Sequence, residues 1–457
     1  MESASSQTSD MTKSKRWPKW KRECQIWMIA VHSMVSTFMA AGIIPAYEKM
    51  TEQYRVTVHE ASYLTSSQIL VLGIAPLAWG PISSRYGHYP VSLFSVFGSM
   101  ICNIGGARCT NFGVQITTRV LAAFLISPNI GIGGGIITEL AAAENRAEKL
   151  GYWTLLTVIG TPTGPLIMGF VVQHLGVSWV YWIFAILNFA QLIAYIILGE
   201  ETRHLKPVEP GHFPQQKWGR AFHSRLAARS NIASPLSVQE FMRPFSVVVY
   251  PRILIPAVAH AIIFCYANIS IVVEMPITFG GKFNLDPQQV GLQFIAVIIG
   301  SVVGEHISGP ASDYFIQTLK NRHVNTYPAD RLWLFYLGIT TVFAGLLSWG
   351  FLLQDASTTW NVTPLVGAAI AGFGNQIQTT TLLAFAVDSH SEQSAAISMF
   401  TNLCRLVYGF TGPFYFPPMF DSLNFSGAMG VMCAIIAGSA LLPVVAIHFL
   451  SRRAVDR

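Results

Sequence analysis

The chain has 457 residues, of which 52% are hydrophobic and only 11% are charged, and its formal net charge is +6. Soluble globular domains carry about 25% charged residues, so this composition excludes an ordinary water-soluble protein and predicts a membrane protein. At about 20 apolar residues for each crossing, the length allows roughly twelve membrane-spanning helices with modest loops.

The first 24 residues are polar and then basic, and no apolar stretch precedes a small-residue cleavage site. We therefore expect no cleavable signal peptide, and the first apolar run is itself the first predicted membrane helix. The six cysteines are scattered, and no two of them have the spacing of a metal or redox site. We predict neither a bound metal nor a cofactor.

Twelve apolar runs of spanning length follow, in two groups of six. They begin near residues 25, 61, 90, 113, 151 and 178, and then near 252, 289, 332, 360, 395 and 426. The proline-rich segment 199–251 is predicted to be a cytoplasmic linker with a surface helix near 217–229. The sequence thus predicts an all-α membrane protein with six-helix bundles at residues 25–198 and 252–450 and short cytoplasmic tails at 1–24 and 451–457.

Basic residues are distributed unevenly between the predicted loops. If the N-terminus is cytoplasmic, twenty-three Lys and Arg residues lie on that side of the membrane. The outer loops hold only Lys49, Arg55, Arg108 and Lys282. Because cytoplasmic loops are enriched in basic residues, both termini are predicted to be cytoplasmic. With this topology the sequons at Asn361 and Asn424 lie outside and are predicted glycosylation sites, whereas Asn268 lies within a span.

Short motifs recur at corresponding positions of the two groups of spans. Span 2 ends in Gly80-Pro-Ile-Ser and span 8 in Gly309-Pro-Ala-Ser, while spans 5 and 11 contain Thr163-Gly-Pro and Thr411-Gly-Pro. A duplicated six-helix unit is typical of transporters whose halves rock against each other. The solute site of such transporters lies at the interface between the halves, near the middle of the membrane.

Four segments carry a family resemblance: Gly80-Pro-Ile-Ser-Ser-Arg-Tyr-Gly87, Arg119-Val-Leu-Ala-Ala, Gly160-Thr-Pro-Thr-Gly-Pro-Leu-Ile-Met-Gly169 and Trp179-Val-Tyr-Trp-Ile-Phe184. With them the chain resembles the major facilitator superfamily, in particular the twelve-span drug:proton antiporters common in fungi. The resemblance extends from about residue 25 to 450 and implies the major facilitator fold. The chain departs from the family signatures at four positions. Ser84 replaces the usual Asp, His88 stands at the second basic position, and Ala123 and Met168 each replace a Gly.

The resemblance also implies a cytoplasmic gate, in which the loop arginine pairs with an acidic residue at the inner end of span 4. The corresponding residues here are Arg85 and Glu139. Such a pair would hold the inner ends of the helices together until the halves rock. The equivalent acids in the second half are Asp313 and Asp388, with Arg322 or Arg331 as candidate partners. Ordinary solvated loop charges are the alternative interpretation of all these residues.

Three charged residues inside the spans are candidates for proton or charge coupling: Arg119, Glu274 and Arg405. An unpaired guanidinium within the membrane costs several kcal/mol at least, so neither arginine is expected to face lipid. A carboxylate in an apolar span favours its neutral form, and Glu274 could therefore load a proton on one side and release it on the other. His32 and His260 are also titratable, although a lone histidine in a span is more often a hydrogen-bonded packing residue.

Small and polar residues inside the spans predict a gating helix and a solute cavity. In span 5 the gating-helix residues are Gly160, Gly164, Pro165 and Gly169, since glycines allow close helix approach and prolines interrupt the hydrogen-bond ladder. The predicted cavity residues are Asn129, Tyr266, Asn268, Asn375, Gln376 and Asn402. A neutral polar lining with aromatic surface suits amphipathic organic molecules better than simple sugars or ions.

The leading hypothesis is a proton-coupled exporter of a small organic compound, such as a drug, toxin or secondary metabolite, at the plasma membrane. Uptake of a nutrient or an organic cation such as a polyamine is the nearest alternative, and a sensor that moves no solute is a third. No P-loop, catalytic triad or zinc motif occurs, which disfavours an ATP-driven pump and an enzyme. We expect a monomer in the lipid bilayer that takes a small solute and protons and binds no nucleic acid.

Overall fold

The structure is a computed structural model that describes residues 18–141, 146–202, 238–321 and 327–453. These residues form helices joined by turns, and no strand occurs among them. The surface helix predicted near residues 217–229, Arg322 and the Asp313 side chain lie outside the described residues.

The six spans of the first half run from Lys19 to Leu198. Their helices are Lys19–Ala41 (span 1), Val58–Tyr86 (span 2), His88–Ala107 (span 3), Phe112–Ile126 with Pro128–Leu140 (span 4), Arg146–His174 (span 5) and Val177–Leu198 (span 6). A short helix, Tyr47–Tyr54, follows span 1 at the predicted outer end.

The second half begins after a short helix at Val238–Met242. Its helices are Pro251–Phe264 with Ser270–Phe283 (span 7), Pro287–Gln293 with Ile295–Asn321 (span 8), Trp333–Asp355 (span 9), Thr363–Ser389 (span 10), and Ser394–Ile436 with Leu442–Arg453 (spans 11 and 12). Single π-helical turns at Cys265–Ile269 and Ala437–Leu441 continue spans 7 and 12.

Ten helical stretches of the described chain are long and apolar enough, by length and composition, to cross a membrane. The last of them, Ser394–Ser451, has 58 residues and turns back at Asn424, whose φ of 57° lies outside the helical range. At 1.5 Å per residue this stretch is long enough for two crossings. Thr363–Ser389, with 27 residues, is also long enough, but its amides and hydroxyls make it less apolar than the other ten. These helices are consistent with twelve spans.

The two halves contact each other at both ends of the bundle. At the predicted cytoplasmic end, span 4 is so close to span 11 that a Cβ on Gly135 would lie 2.9 Å from Cβ of Ala395. At the predicted outer end, span 5 meets span 8, where a Cβ on Gly169 would lie 3.2 Å from Cα of Gly291. Because both ends are in contact, this conformation encloses the middle of the interface.

Candidate functional site

The two halves enclose a narrow cavity near the middle of the bundle, with about 20 Å³ of free space in this conformation, which is enough for about one water molecule. Spans 1, 2 and 5 line it from the first half, and spans 7 and 11 line it from the second. Its polar lining residues are Thr37, Thr65, Thr157, Thr161 and Arg405. The other lining residues are aliphatic apart from Phe264, so the walls fit a mainly apolar solute.

Arg405 is the one charged residue among those lining the cavity. Its side chain is only 7% exposed, and its Nη2 donates a hydrogen bond of 2.8 Å to Oδ1 of Asn402, one helical turn earlier. Its guanidinium carbon lies 4.9 Å from the centre of the Phe264 ring on span 7, which is a cation–π distance. Its Nε has no hydrogen-bond partner within the described part of the chain. The cavity therefore carries a positive charge.

Arg119, the second buried arginine, has a different environment. Span 1 ends at Ala41, and Pro45, which has no amide hydrogen, follows in a 3₁₀ turn. The last carbonyl groups of a helix lack helical donors. Nη2 of Arg119 donates to two of them, the oxygens of Met39 at 3.0 Å and Ala40 at 3.2 Å. Arg119 thus caps the end of span 1 from span 4 and does not line the cavity.

Glu274 lies buried in span 7, toward the predicted outer end of the interface. It is 2% exposed, and its Oε1 finds no hydrogen-bond donor among the described residues. Asp421 of span 11 and Tyr47, which follows span 1, are close enough to interact with it electrostatically. A neighbouring carboxylate and an apolar environment both favour the protonated form of a carboxyl group. The role of Glu274 in proton coupling stays a prediction.

A second buried carboxylate, Glu305, lies toward the predicted cytoplasmic end. Its Oε2 accepts hydrogen bonds of 2.7 Å from Nε2 of Gln376 and from Oγ1 of Thr380, both on span 10. Its Oε1 faces span 5 of the other half, because a Cβ on Gly151 would lie 2.5 Å from it. The interface between the halves thus has one buried carboxylate near each end.

His32 and His260, the two histidines considered as titratable groups, are hydrogen-bonded packing residues. Nε2 of His32 lies 3.1 Å from the carbonyl oxygen of Ile126, and its Nδ1 lies 2.9 Å from the amide nitrogen of Asn129. The carbonyl needs a donor and the amide needs an acceptor, so both contacts fit one neutral tautomer. Nε2 of His260 lies 3.2 Å from Oγ1 of Thr379.

The six residues predicted to line the cavity are all buried but are not among those that line it in this conformation. Asn129 binds the hydroxyl of Tyr195 within the first half, Gln376 binds Glu305, and Asn402 binds Arg405. The hydroxyl of Tyr266 lies 3.2 Å from that of Tyr408. Neither amide atom of Asn268 or of Asn375 has a hydrogen-bond partner among the described residues. The cavity assignment of these six residues stays a prediction.

The predicted gate residues lie at the cytoplasmic ends of their spans. Arg85 is half-buried, Glu139 is exposed, and both interact with neighbouring residues. In the second half, Nε of Arg331 lies 2.6 Å from Oδ2 of Asp388, so one of the two candidate partners forms an ion pair. Nη1 of Arg331 also donates to Ser312, and the pair therefore joins spans 8, 9 and 10. Their gating role stays a prediction.

Span 5 forms one continuous helix despite its two prolines, and its glycines face other helices. Gly160 and Gly164 lie against span 1, where a Cβ on Gly164 would be 2.6 Å from the carbonyl oxygen of Phe38. Gly169 lies against span 8 of the other half. The predicted gating helix therefore packs tightly on its own half through Gly160 and Gly164 and touches the opposite half through Gly169, on another face of the helix. The two predicted glycosylation sites, Asn361 and Asn424, are both exposed.

Sequence reasoning missed the threonines of the cavity and one anchoring carboxylate. Thr157 and Thr161 lie with Thr154 at i, i+3, i+7 spacing on one face of span 5, a signal that the sequence contains. Thr37 of span 1 joins them only through the packing of the two helices. Glu201 accepts from the backbone amides of His88 and Tyr89 at 2.9 and 3.2 Å, so it binds the N-terminus of span 3. Its position directly after span 6 was an available signal.

A family model described as Major Facilitator Superfamily matches residues 29–413 of this chain. The chain belongs to this superfamily. The resemblance carried by the four motifs is thereby confirmed, as are the all-α membrane fold and the prediction of a transporter rather than an enzyme.

Fungal transporters are among its relatives. The chain is 26% identical over 414 residues to a protein of Aspergillus flavus named "Probable efflux pump mfs2", covering 87% of this chain and 94% of that relative. It is also 26% identical to the "MFS-type transporter hepF" of Aspergillus oryzae, covering 87% of this chain and 81% of that relative. The shared length shows that the likeness extends over both halves.

A solved structure shows the same fold at low sequence identity. The crystal structure of the human organic anion transporter MFSD10 superposes with a TM-score of 0.66 and 12% identity, over 94% of this chain and 99% of that one. At this identity the likeness shows the fold alone. The chain therefore has the fold of that transporter, as its family membership predicts.

Proposed function

We propose that this transporter exports a small organic compound from the cell in exchange for protons. The observation that carries the proposal is the enclosed cavity between the two halves, which contact each other at both ends. A solute held there would be released on either side when one end opens, which is alternating access. The names of the fungal relatives, which include efflux pumps, support export.

Proton exchange is assigned to the buried carboxylates at the interface. Glu274 is near the predicted outer end and interacts electrostatically with Asp421. It remains the preferred proton carrier. Glu305, near the cytoplasmic end, is the second candidate because its Oε1 faces span 5 across the interface. A proton that enters from outside and neutralises Glu274 would remove a buried charge and so favour closure of the outer end.

The rival function, uptake of an organic cation such as a polyamine, receives no support from the cavity. Arg405 contributes a positive charge, and no carboxylate is among the residues that line the cavity. A cation would be repelled there by a charge that little solvent screens. We place the exporter in the plasma membrane as a monomer. Both termini are placed in the cytoplasm because the basic residues are strongly biased toward that side.

The test uses the purified chain in proteoliposomes with an imposed pH gradient. We expect the gradient to drive accumulation of a transported compound in wild-type vesicles. Glu274→Gln should abolish gradient-driven accumulation while leaving downhill exchange of the compound, because an amide cannot carry the proton.

Glu52→Gln is the matched control, since Glu52 is an exposed carboxylate in the short helix after span 1. It should accumulate the compound like the wild type. Accumulation that ignores the gradient in the wild type, or that survives in the Glu274→Gln variant, would contradict the assignment.

A further inference from the structure

The residues that line the cavity include one positive charge and no negative charge. Arg405 is the one charged residue that lines it, and no ion pair to Arg405 occurs among the described residues. The polar side chain that it contacts is the uncharged amide of Asn402. Glu274 interacts with Asp421 instead. A buried guanidinium needs compensating partners, and no counter-charge for Arg405 occurs in the part of the chain that the structure describes.

We propose that a carboxylate of the transported compound supplies that counter-charge. This inference rests on the proposed function and names its substrate class: an amphipathic organic acid with one carboxylate and an apolar body. Guanidinium and carboxylate groups match in plane, charge and spacing, and two parallel hydrogen bonds can form between them.

The surroundings of Arg405 orient it for such a contact. The Phe264 ring covers one side of the guanidinium at 4.9 Å, and Asn402 holds Nη2. The unpartnered Nε and the rest of the fork remain for a ligand. Because Phe264 and Asn402 fix the guanidinium plane, little further ordering is needed when the carboxylate binds.

The other residues that line the cavity indicate what kind of body the compound has. Opposite Arg405 the first half contributes aliphatic side chains such as Ile44, Ile69 and Leu72, with hydroxyls of threonine between them. Once the halves move apart and widen the cavity, these walls would contact an aliphatic or aromatic body and offer hydrogen bonds to single oxygen or nitrogen atoms. A second acidic group would find no further cation in the lining, and an ammonium group would be repelled.

Arg119 shows that burial alone does not make such a site. Its Nη2 donates to the carbonyl oxygens of Met39 and Ala40, and its Nε and Nη1 have no hydrogen-bond partner among the described residues, but it lies outside the cavity. Of the two buried arginines, only Arg405 therefore combines a cavity position with unused donors.

The experiment measures binding to the purified full-length chain in nanodiscs at pH 7, with no pH gradient. The probes are three carboxylates, 2-naphthoate, 4-phenylbutyrate and decanoate, and the primary amide of each. We expect at least one carboxylate to bind about 10- to 100-fold more tightly than its amide, as for a charge-assisted hydrogen-bonded pair.

Variants then locate the preference. Arg405→Gln should reduce carboxylate affinity to that of the amide while amide affinity changes less than about threefold, and Arg405→Lys should keep part of the preference. Arg108→Gln, at an exposed arginine, is the control and should behave like the wild type.

The proposal is overturned if no carboxylate binds at millimolar concentration, if the wild type binds each carboxylate and its amide equally, or if Arg405→Gln keeps the preference. The comparison of carboxylate and amide probes uses the wild type alone, so it can contradict the proposal even if a variant misfolds. Because binding is measured without a gradient, proton coupling can fail while the carboxylate preference stands. Conversely, if the carboxylate preference fails, gradient-driven export of a neutral compound would still support the proposed function.

Discussion

At the scale of single residues, two arginines of the same predicted role occupy different environments. The sequence places Arg119 and Arg405 inside spans, and both are buried away from lipid. Arg119 caps the broken end of span 1, whereas Arg405 faces the cavity. Their partners decide the difference: Arg119 donates to the end of span 1, whereas Arg405 binds Asn402 of its own helix and Phe264 of span 7.

Replacing Arg119 tests its capping role. Arg119→Met would leave the carbonyl oxygens of Met39 and Ala40 without a donor in a buried place, so we expect a loss of about 1–3 kcal/mol of stability. Arg119→Lys, which keeps one charged donor, should lose less. Thermal unfolding of the purified protein measures both, with Arg108→Met as an exposed control. An Arg119→Met variant as stable as the wild type would rule out the cap.

The residue scale also shows what could be predicted from sequence alone. A charge in an apolar run is visible without a structure, and Glu274 and Arg405 were identified in this way. Which charges meet is not visible, because Glu305 finds Gln376 and Thr380 across 71 and 75 residues of sequence. Hydrogen-bond partners at such separations depend on how the helices pack.

At the scale of elements, span 5 shows how small residues determine packing. Gly160 and Gly164 let span 1 approach so closely that backbone meets backbone, and Gly169 does the same for span 8. One helix thereby joins its own half and forms part of the interface with the other. Close packing through small residues allows helices to slide past each other, as a rocking motion of the halves requires.

A matched pair of glycine substitutions tests this packing. A Cβ on Gly164 would lie 2.6 Å from the Phe38 oxygen and 2.8 Å from the Gly42 nitrogen, so Gly164→Ala should destabilise the protein by about 1–3 kcal/mol. A Cβ on Gly430, also inside a helix, would have no neighbour within 4 Å. Gly430→Ala should leave stability unchanged or raise it by up to about 1 kcal/mol. Equal thermal stabilities for the two variants would contradict the packing argument.

The extent of the elements was largely predictable, and their interruptions were only partly so. Apolar runs place the spans because lipid requires about 20 such residues. The break of span 4 at Ser127 falls beside Pro128 and the following glycines, a signal that the sequence contains. The π-helical turn at Cys265–Ile269 has no comparable signal, since it depends on the packing of span 7 against its neighbours.

At the scale of the whole molecule, two similar bundles surround a space that neither bundle forms alone. The repeated motifs predicted the two halves, and membership of the major facilitator superfamily agrees with them. The contacts at both ends define an enclosed conformation. Transport by this molecule requires that these contacts open one end at a time.

Distances between spin labels at the two ends test this central claim most directly. One label pair replaces His174 and Gln288, which are 2.9 Å apart from ring nitrogen to amide oxygen at the outer end. The other replaces the exposed Ser84 and Glu392 at the cytoplasmic end, both in a background without cysteines. On a change from pH 7.5 to pH 5.5 we predict that one distance lengthens while the other shortens. Distances that stay fixed, or that lengthen together, would contradict alternating access around this cavity.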